Sequence, residues 1–298
     1  MKSRTPALIA AIGANLIYGL NFVVAKGIMP DFLQPRAIIL LRVVGATLVF
    51  WLVSMFTPKE RPNTNDLLTL ALASVFGVAI NQIFFFEGLN LTTPINASII
   101  MVCVPIAVML FSRAIRGERL NPLRLFGIAM GTAGAAILIL KDGQLNFSSS
   151  TSLGNLLVVI NASSYALYLV LIKPVMVKYH PITVMKWVFL FGNISVIPVT
   201  FQVAREAQWQ AIPLSIWISI AYVVLFTTVL AYYLNNFSLK KISPTTNAVF
   251  IYMQPFFTTV VAVLLGKDQP VWTMLLPAFL IFTGVYLVSM KRLPRTSD

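Results

Sequence analysis

Residues 94–140 read PINASIIMVCVPIAVMLFSRAIRGERLNPLRLFGIAMGTAGAAILIL, and residues 244–290 read PTTNAVFIYMQPFFTTVVAVLLGKDQPVWTMLLPAFLIFTGVYLVSM. Each stretch holds two apolar runs of about 20 residues, the length that takes an α-helix across a bilayer. Laid on one another at a shift of 150 residues and without a gap, Pro94 meets Pro244, Pro105 meets Pro255, Glu118 meets Asp268 and Gly134 meets Gly284. A shift of 147 places Tyr18 on Tyr165, Leu20 on Leu167 and Lys26 on Lys173. Self-similarity at a fixed register is the mark of an internal duplication.

Outward from these stretches the same pattern continues. Apolar runs fall at about 6–27, 35–56, 67–89, 94–115, 121–140, 153–177, 182–203, 211–237, 244–265 and 271–290, with breaks such as Met29-Pro30-Asp31 and Lys141-Asp142-Gly143. Of the 298 residues 58% are hydrophobic and only 10% charged, with a mean hydropathy of +0.85. That excludes an ordinary soluble domain, in which about a quarter of residues carry charge. The runs are too long and too continuous for barrel strands. The expected fold is therefore an all-α polytopic membrane protein of ten transmembrane helices. Residues 1–143 form the first five-helix repeat and 153–292 the second, with a flexible connection over 144–152. Five is odd, so the second repeat enters the membrane inverted, the architecture of alternating-access carriers.

The net charge of +13 comes from 22 Lys and Arg against 9 Asp and Glu. Sixteen of those cations fall at the N-terminus, in alternate loops and at the C-terminus, which places both termini in the cytoplasm. The same placement explains the charge as topology control and excludes a nucleic-acid partner. The first apolar run, behind Lys2 and Arg4, is too long for a signal-peptide core and reads as the first span.

Ten spans in five-plus-five order, the Gly117-Glu118-Arg119-Leu120 end of span 4, the glycine-containing span 5 and the Tyr18-Gly19-Leu20-Asn21-Phe22 stretch resemble the EamA-type branch of the drug/metabolite transporter superfamily. The second repeat departs from the pattern, with Lys267-Asp268 where the first has Gly117-Glu118. The resemblance implies export of amino acids, metabolites or drugs across a bacterial inner membrane.

Three polar faces are the candidate substrate-binding surface. They are Asn15, Tyr18 and Phe22 on span 1, Asn161, Ser164, Tyr165 and Tyr168 on span 6, and Asn247 and Gln254 on span 9, while Tyr232, Tyr233, Asn235 and Asn236 late in span 8 are further candidate lining. Amides and phenols hold zwitterions or polar heterocycles, but they also bond membrane helices to one another. Pro105 and Pro255 lie about eleven residues into their spans, where a proline kinks a helix and frees the carbonyl four residues back, here Met101 and Ile251. Arg42 and Glu87 are ionisable residues within spans and are expected at similar depth. They form either a structural ion pair or a gate, Glu87 serving a substrate ammonium or a coupling proton and Arg42 a carboxylate. His180 reads as a turn residue, and the aromatics as mostly lipid-facing or interfacial.

One His, Cys103 as the one Cys, and no clustered intramembrane acids argue against an integral-membrane transferase, a metal site or any cofactor. No phosphate-binding Gly-x4-Gly-Lys motif is present. The sequence reads as a secondary exporter of amino acids or related small polar metabolites, working as a monomer or homodimer. A multidrug or nucleobase-type efflux carrier is the alternative.

Overall fold

Prolines and short polar side chains set where the helices begin. In a computed structural model, which describes residues 4–92, 97, 100–118, 121–142, 149–264 and 275–290, proline occupies the first turn of six helices. There its missing N–H costs nothing. Asn63, Asn121, His180 and Ser243 each accept a backbone N–H at a helix start, at 2.8, 2.9, 3.3 and 3.2 Å. The helices are α1 (Thr5–Ile28), α2 (Pro35–Ser54), α3 (Thr64–Leu91), α4 (Val104–Arg116), α5 (Pro122–Asp142), α6 (Ser149–Lys178), α7 (Pro181–Arg205), α8 (Leu214–Lys241), α9 and α10 (Leu275–Ser289). α9 is composite: Pro244–Ala248, a 3₁₀ segment Val249–Tyr252, then Met253–Leu264.

Among the described residues there is no strand, and six helices are individually long and apolar enough to cross a membrane. Phe56, Leu214 and Leu48 are 85%, 75% and 67% exposed, a degree of apolar exposure that only lipid accommodates over a whole bundle surface. The chain is thus a polytopic α-helical membrane protein. α6 begins at Ser149, inside the stretch read as a connection, because Ser149 to Ser152 extend the helix. Pro94, Lys267 and Asp268 lie outside the described residues.

The two halves make matching contacts. α2 packs along α7, α5 along α10, α1 against α8, and α3 against α6. Gly45 of α2 lies under Val224 of α8, and Gly192 of α7 under Val78 of α3. These are the same contact repeated 146 to 147 residues later. Both valines sit in wide π-helical turns, Val75–Ile80 in α3 and Tyr222–Leu230 in α8.

The lysines repeat the rule with polar chemistry. Lys26 of α1 donates to the carbonyls of Leu89, Asn90 and Thr92 at 2.9, 2.9 and 3.3 Å. Lys173 of α6 donates to those of Leu239, Lys240 and Ile242, each 150 residues further on. Each ammonium thereby satisfies the orphan carbonyls, and the negative pole, of the last turn of the third helix of its repeat. The two sites are at opposite ends of the bundle, since α3 begins beside the end of α8. There Asp66 accepts from Lys178 at 2.8 Å and from Tyr179 at 2.9 Å, while Lys240 donates to the Tyr179 carbonyl at 2.8 Å. The bond to the Asp66 carboxylate holds the Tyr179 phenol above its usual range.

Gly117 closes α4 with φ 63°, a left-handed conformation that costs a residue with a Cβ roughly 1–2 kcal/mol. Glu118, just beyond the end of α4, accepts from the Thr245 hydroxyl at the start of α9, 3.5 Å away.

Candidate functional site

The π-helical turns that break the regular ladder of α3 and α8 also build a polar cavity between the two halves. A wide turn leaves carbonyls without their usual i+4 donor, and inside a membrane something else must satisfy them. In α3, Ser164 donates to the carbonyl of Phe76 at 2.6 Å, Tyr232 to that of Gly77 at 3.1 Å and Asn161 to that of Asn81 at 2.7 Å. In α8, Thr228 donates to the Val223 carbonyl at 2.8 Å. The side chains of Asn81 and Gln82, just past the α3 turn, and of Thr227, within the α8 turn, then face this space.

Five of the nine candidate substrate contacts line that space: Tyr18, Phe22, Asn161, Tyr165 and Gln254. The other four lie outside its lining. Asn15 donates to the Ala11 carbonyl at 2.8 Å and accepts from Gln254 at 2.7 Å, joining α1 to α9. Ser164 is occupied with the α3 turn. Tyr168 is wholly buried against Gly77, its hydroxyl donating to Asn236 at 2.9 Å. Asn247 donates to the Asn235 carbonyl at 3.3 Å. Periodicity puts Tyr168 on the same face as Tyr165, but the close approach of α3 at Gly77 turns that part of the face into a helix contact.

Several wall residues escaped the sequence reading. Asn21 is one residue off the face drawn through Tyr18 and Phe22. Asn81, Gln82 and Thr227 are presented by the wide turns, which composition does not reveal. Phe85 and Phe86 join Phe22, with ring centroids of Phe22 and Phe85 5.6 Å apart; Tyr232, the one span 8 candidate that reaches the described lining, meets Tyr18 edge-on at 6.3 Å. Many aromatics thus pack inside the bundle rather than against lipid, since flat side chains fill a space between crossing helices with little loss of entropy. Met101 completes this wall.

The charged residues separate. Arg42, eight residues into α2, is 4% exposed and lines the cavity. Its Nε donates to Thr228 Oγ1 at 2.8 Å, and its guanidinium lies 4.6 Å over the Phe86 ring. Glu87 does not meet it. Glu87 pairs with Arg36 at 2.7 Å, with 26% and 49% of the two side chains exposed. The start of α2 runs beside the end of α3, and Arg42 is six residues deeper, roughly 9 Å along the helix. A half-exposed pair of this kind contributes little. Glu87→Gln is therefore expected to leave transport within roughly two-fold of wild type between about pH 5 and about pH 8. Solute counterflow measured across that range checks it, and a lost or shifted pH profile would restore a proton role.

Pro105 and Pro255 sit differently from mid-helix kinks. Each falls in the first turn of an α-helical segment that restarts after a tighter stretch, Val102–Cys103 before α4 and Val249–Tyr252 within α9. Met101 and Gln254, which border these breaks, line the cavity.

Residues 5–140 and 152–290 each match the EamA-like transporter family. Over 295 residues the chain is 25% identical to the uncharacterized transporter YyaM of Bacillus subtilis, covering 96% of this chain and 95% of that one. A relative from Streptantibioticus cattleyicolor, named a probable terminal-alkyne amino-acid exporter, is 22% identical and covers 80% of this chain and 78% of its own. A solved crystal structure superposes with a TM-score of 0.78 over 96% of this chain and 97% of that one, at 19% identity.

Proposed function

The chain belongs to the EamA-like transporter family, and from that premise we propose that it is a secondary carrier that exports amino acids or related small polar metabolites by alternating access. Transport is the family's property. The substrate, the direction and the mechanism are the present reading.

The observation that carries it is the cavity, which lies between the two halves and is walled by unspent hydrogen-bonding capacity. Tyr18 Oη, Asn21 Oδ1 and Asn161 Oδ1 are buried with no partner among the described residues, although each unmade buried hydrogen bond costs roughly 1–3 kcal/mol. A solute that supplies those bonds recovers that energy. The matched lysine sites at opposite ends of the bundle support two equivalent gates, and the name of the Streptantibioticus relative supports amino-acid export. The cation tally supports cytoplasmic termini in an inner membrane. The aromatic wall favours a second reading, a multidrug or nucleobase-type efflux carrier of the same fold.

Purified protein in proteoliposomes preloaded with an unlabelled amino acid is expected to take up the labelled one with a transient overshoot that saturates with concentration. Uptake without saturation or overshoot would indicate a channel, and no uptake of any amino acid would remove the proposed substrate class.

A further inference from the structure

We infer that Arg42 is the carboxylate seat of the transport site, so that the solute carried is a small organic acid with a hydrogen-bond donor close to its carboxylate, as in an α-amino acid. This rests on the carrier reading of the cavity.

The charge balance leads to it. Arg42 is 4% exposed, yet the described residues hold only two ion pairs, Arg36–Glu87 and Lys178–Asp66, and neither involves it. Among the described residues none that lines the cavity is acidic. Protein groups touch the guanidinium through its Nε, bonded to Thr228, and through the Phe86 ring over Cζ. Among the described residues no protein acceptor meets the two terminal NH₂ groups, the fork that matches a carboxylate in two parallel bonds. A charge in a membrane interior is held there by a partner or by a function, and this one lines the cavity between the two halves.

The remaining walls define the rest of the solute. The unpartnered atoms of Asn21 and Asn161 are carbonyl oxygens, which accept and do not donate. The assignment for Asn161 is fixed by its Nδ2, which is committed to the Asn81 carbonyl. These oxygens suit an ammonium or an N–H near the carboxylate. Phe22, Phe85 and Met101 leave an apolar space for the side chain. A seated carboxylate would also neutralise the buried guanidinium, so the loaded cavity closes at less electrostatic cost than the empty one. Cations are disfavoured by Arg42, and an uncharged nucleobase can accept its hydrogen bonds but does not neutralise its charge.

Thermal-shift titration of the purified full-length protein tests this with L-phenylalanine, L-leucine and L-methionine, each beside its carboxamide and its deaminated acid, and with sodium chloride alone. At least one amino acid is expected to bind wild type roughly 30-fold or more tighter than its carboxamide, with the deaminated acid between them. Arg42→Gln should abolish the difference between acid and amide, and Arg42→Lys should retain part of it, because it keeps the charge and loses the fork. Equal binding of acid and amide, an unchanged preference in Arg42→Gln, or stabilisation reproduced by chloride alone would each overturn the assignment. If a nucleobase or a cationic drug bound and none of the acids did, the Arg42 inference would fall and the carrier reading would stand. If none of these solutes bound and none was exchanged by proteoliposomes, both would fall.

Discussion

Gly284→Ala is expected to destabilise the protein by about 3 kcal/mol or more, the upper end of what an overpacked core costs, and to lower its melting temperature in detergent by roughly 5 °C or more. A Cβ at position 284 would come within 2.5 Å of the Gly127 carbonyl oxygen and 2.7 Å of the Gly131 nitrogen. Both are backbone atoms of α5, so no rotamer change relieves the clash and the two helices must separate. Gly127 in turn faces the Gly284 carbonyl, and Gly134 faces that of Pro277. Small residues on both sides let α5 and α10 approach closely where lipid offers no hydrophobic drive. Gly27→Ala is the control. It lies in the last turn of α1 with nothing within 4 Å of a new Cβ, so it should be neutral or stabilising by about 0.5 kcal/mol. Equal melting temperatures for Gly284→Ala and wild type would refute the close contact.

Lys26→Met and Lys173→Met are expected to bias the cavity toward opposite faces of the membrane. Each change leaves three carbonyls at the end of α3 or of α8 without their donor, in exchange for an apolar side chain of similar length. Hydrogen bonds to a charged group contribute about 1.5–3 kcal/mol each, so the loss shifts a two-state equilibrium by ten-fold or more. Lys26 joins α1 to α3 at one end, and Lys173 joins α6 to α8 at the other, so loosening either opens only its own end. The readout is labelling of an Asn21→Cys cavity thiol, in a Cys103→Ser background, by an impermeant maleimide applied to right-side-out or inside-out vesicles. Lys26→Met should speed labelling from the face where α3 ends, and Lys173→Met from the face where α8 ends. Acceleration from the same face in both variants would contradict two equivalent gates.

How much of this was legible beforehand differs from residue to residue. The pairing of Lys26 with Lys173 at a shift of 147 was visible in the sequence, but its chemistry was not, because a lysine's acceptors lie 63 to 69 positions away. Gly134 and Gly284 matched as repeat partners, and the structure shows why both are glycine: they serve one interface between α5 and α10. Arg42 and Glu87 stood out as charges within spans, yet their partners were misassigned. A difference of six residues along one helix, set against the register of its neighbour, decides who meets whom. Among the polar faces, Tyr18 and Tyr165 reach the cavity, whereas Tyr168 is spent on a helix contact.

The sequence by itself determined that the chain spans a membrane, that it is helical, and that it is a duplicated unit of five apolar segments. Those properties are sums over contiguous residues: the cost of burying a segment in lipid and the backbone's need to bond to itself there depend on nothing outside the segment. Tertiary structure alone decided which polar groups stay unspent around the central space and that no acid among the described residues meets Arg42. Those outcomes depend on the π-helical turns and on where glycines let backbones meet, and both are fixed only when one helix packs against another.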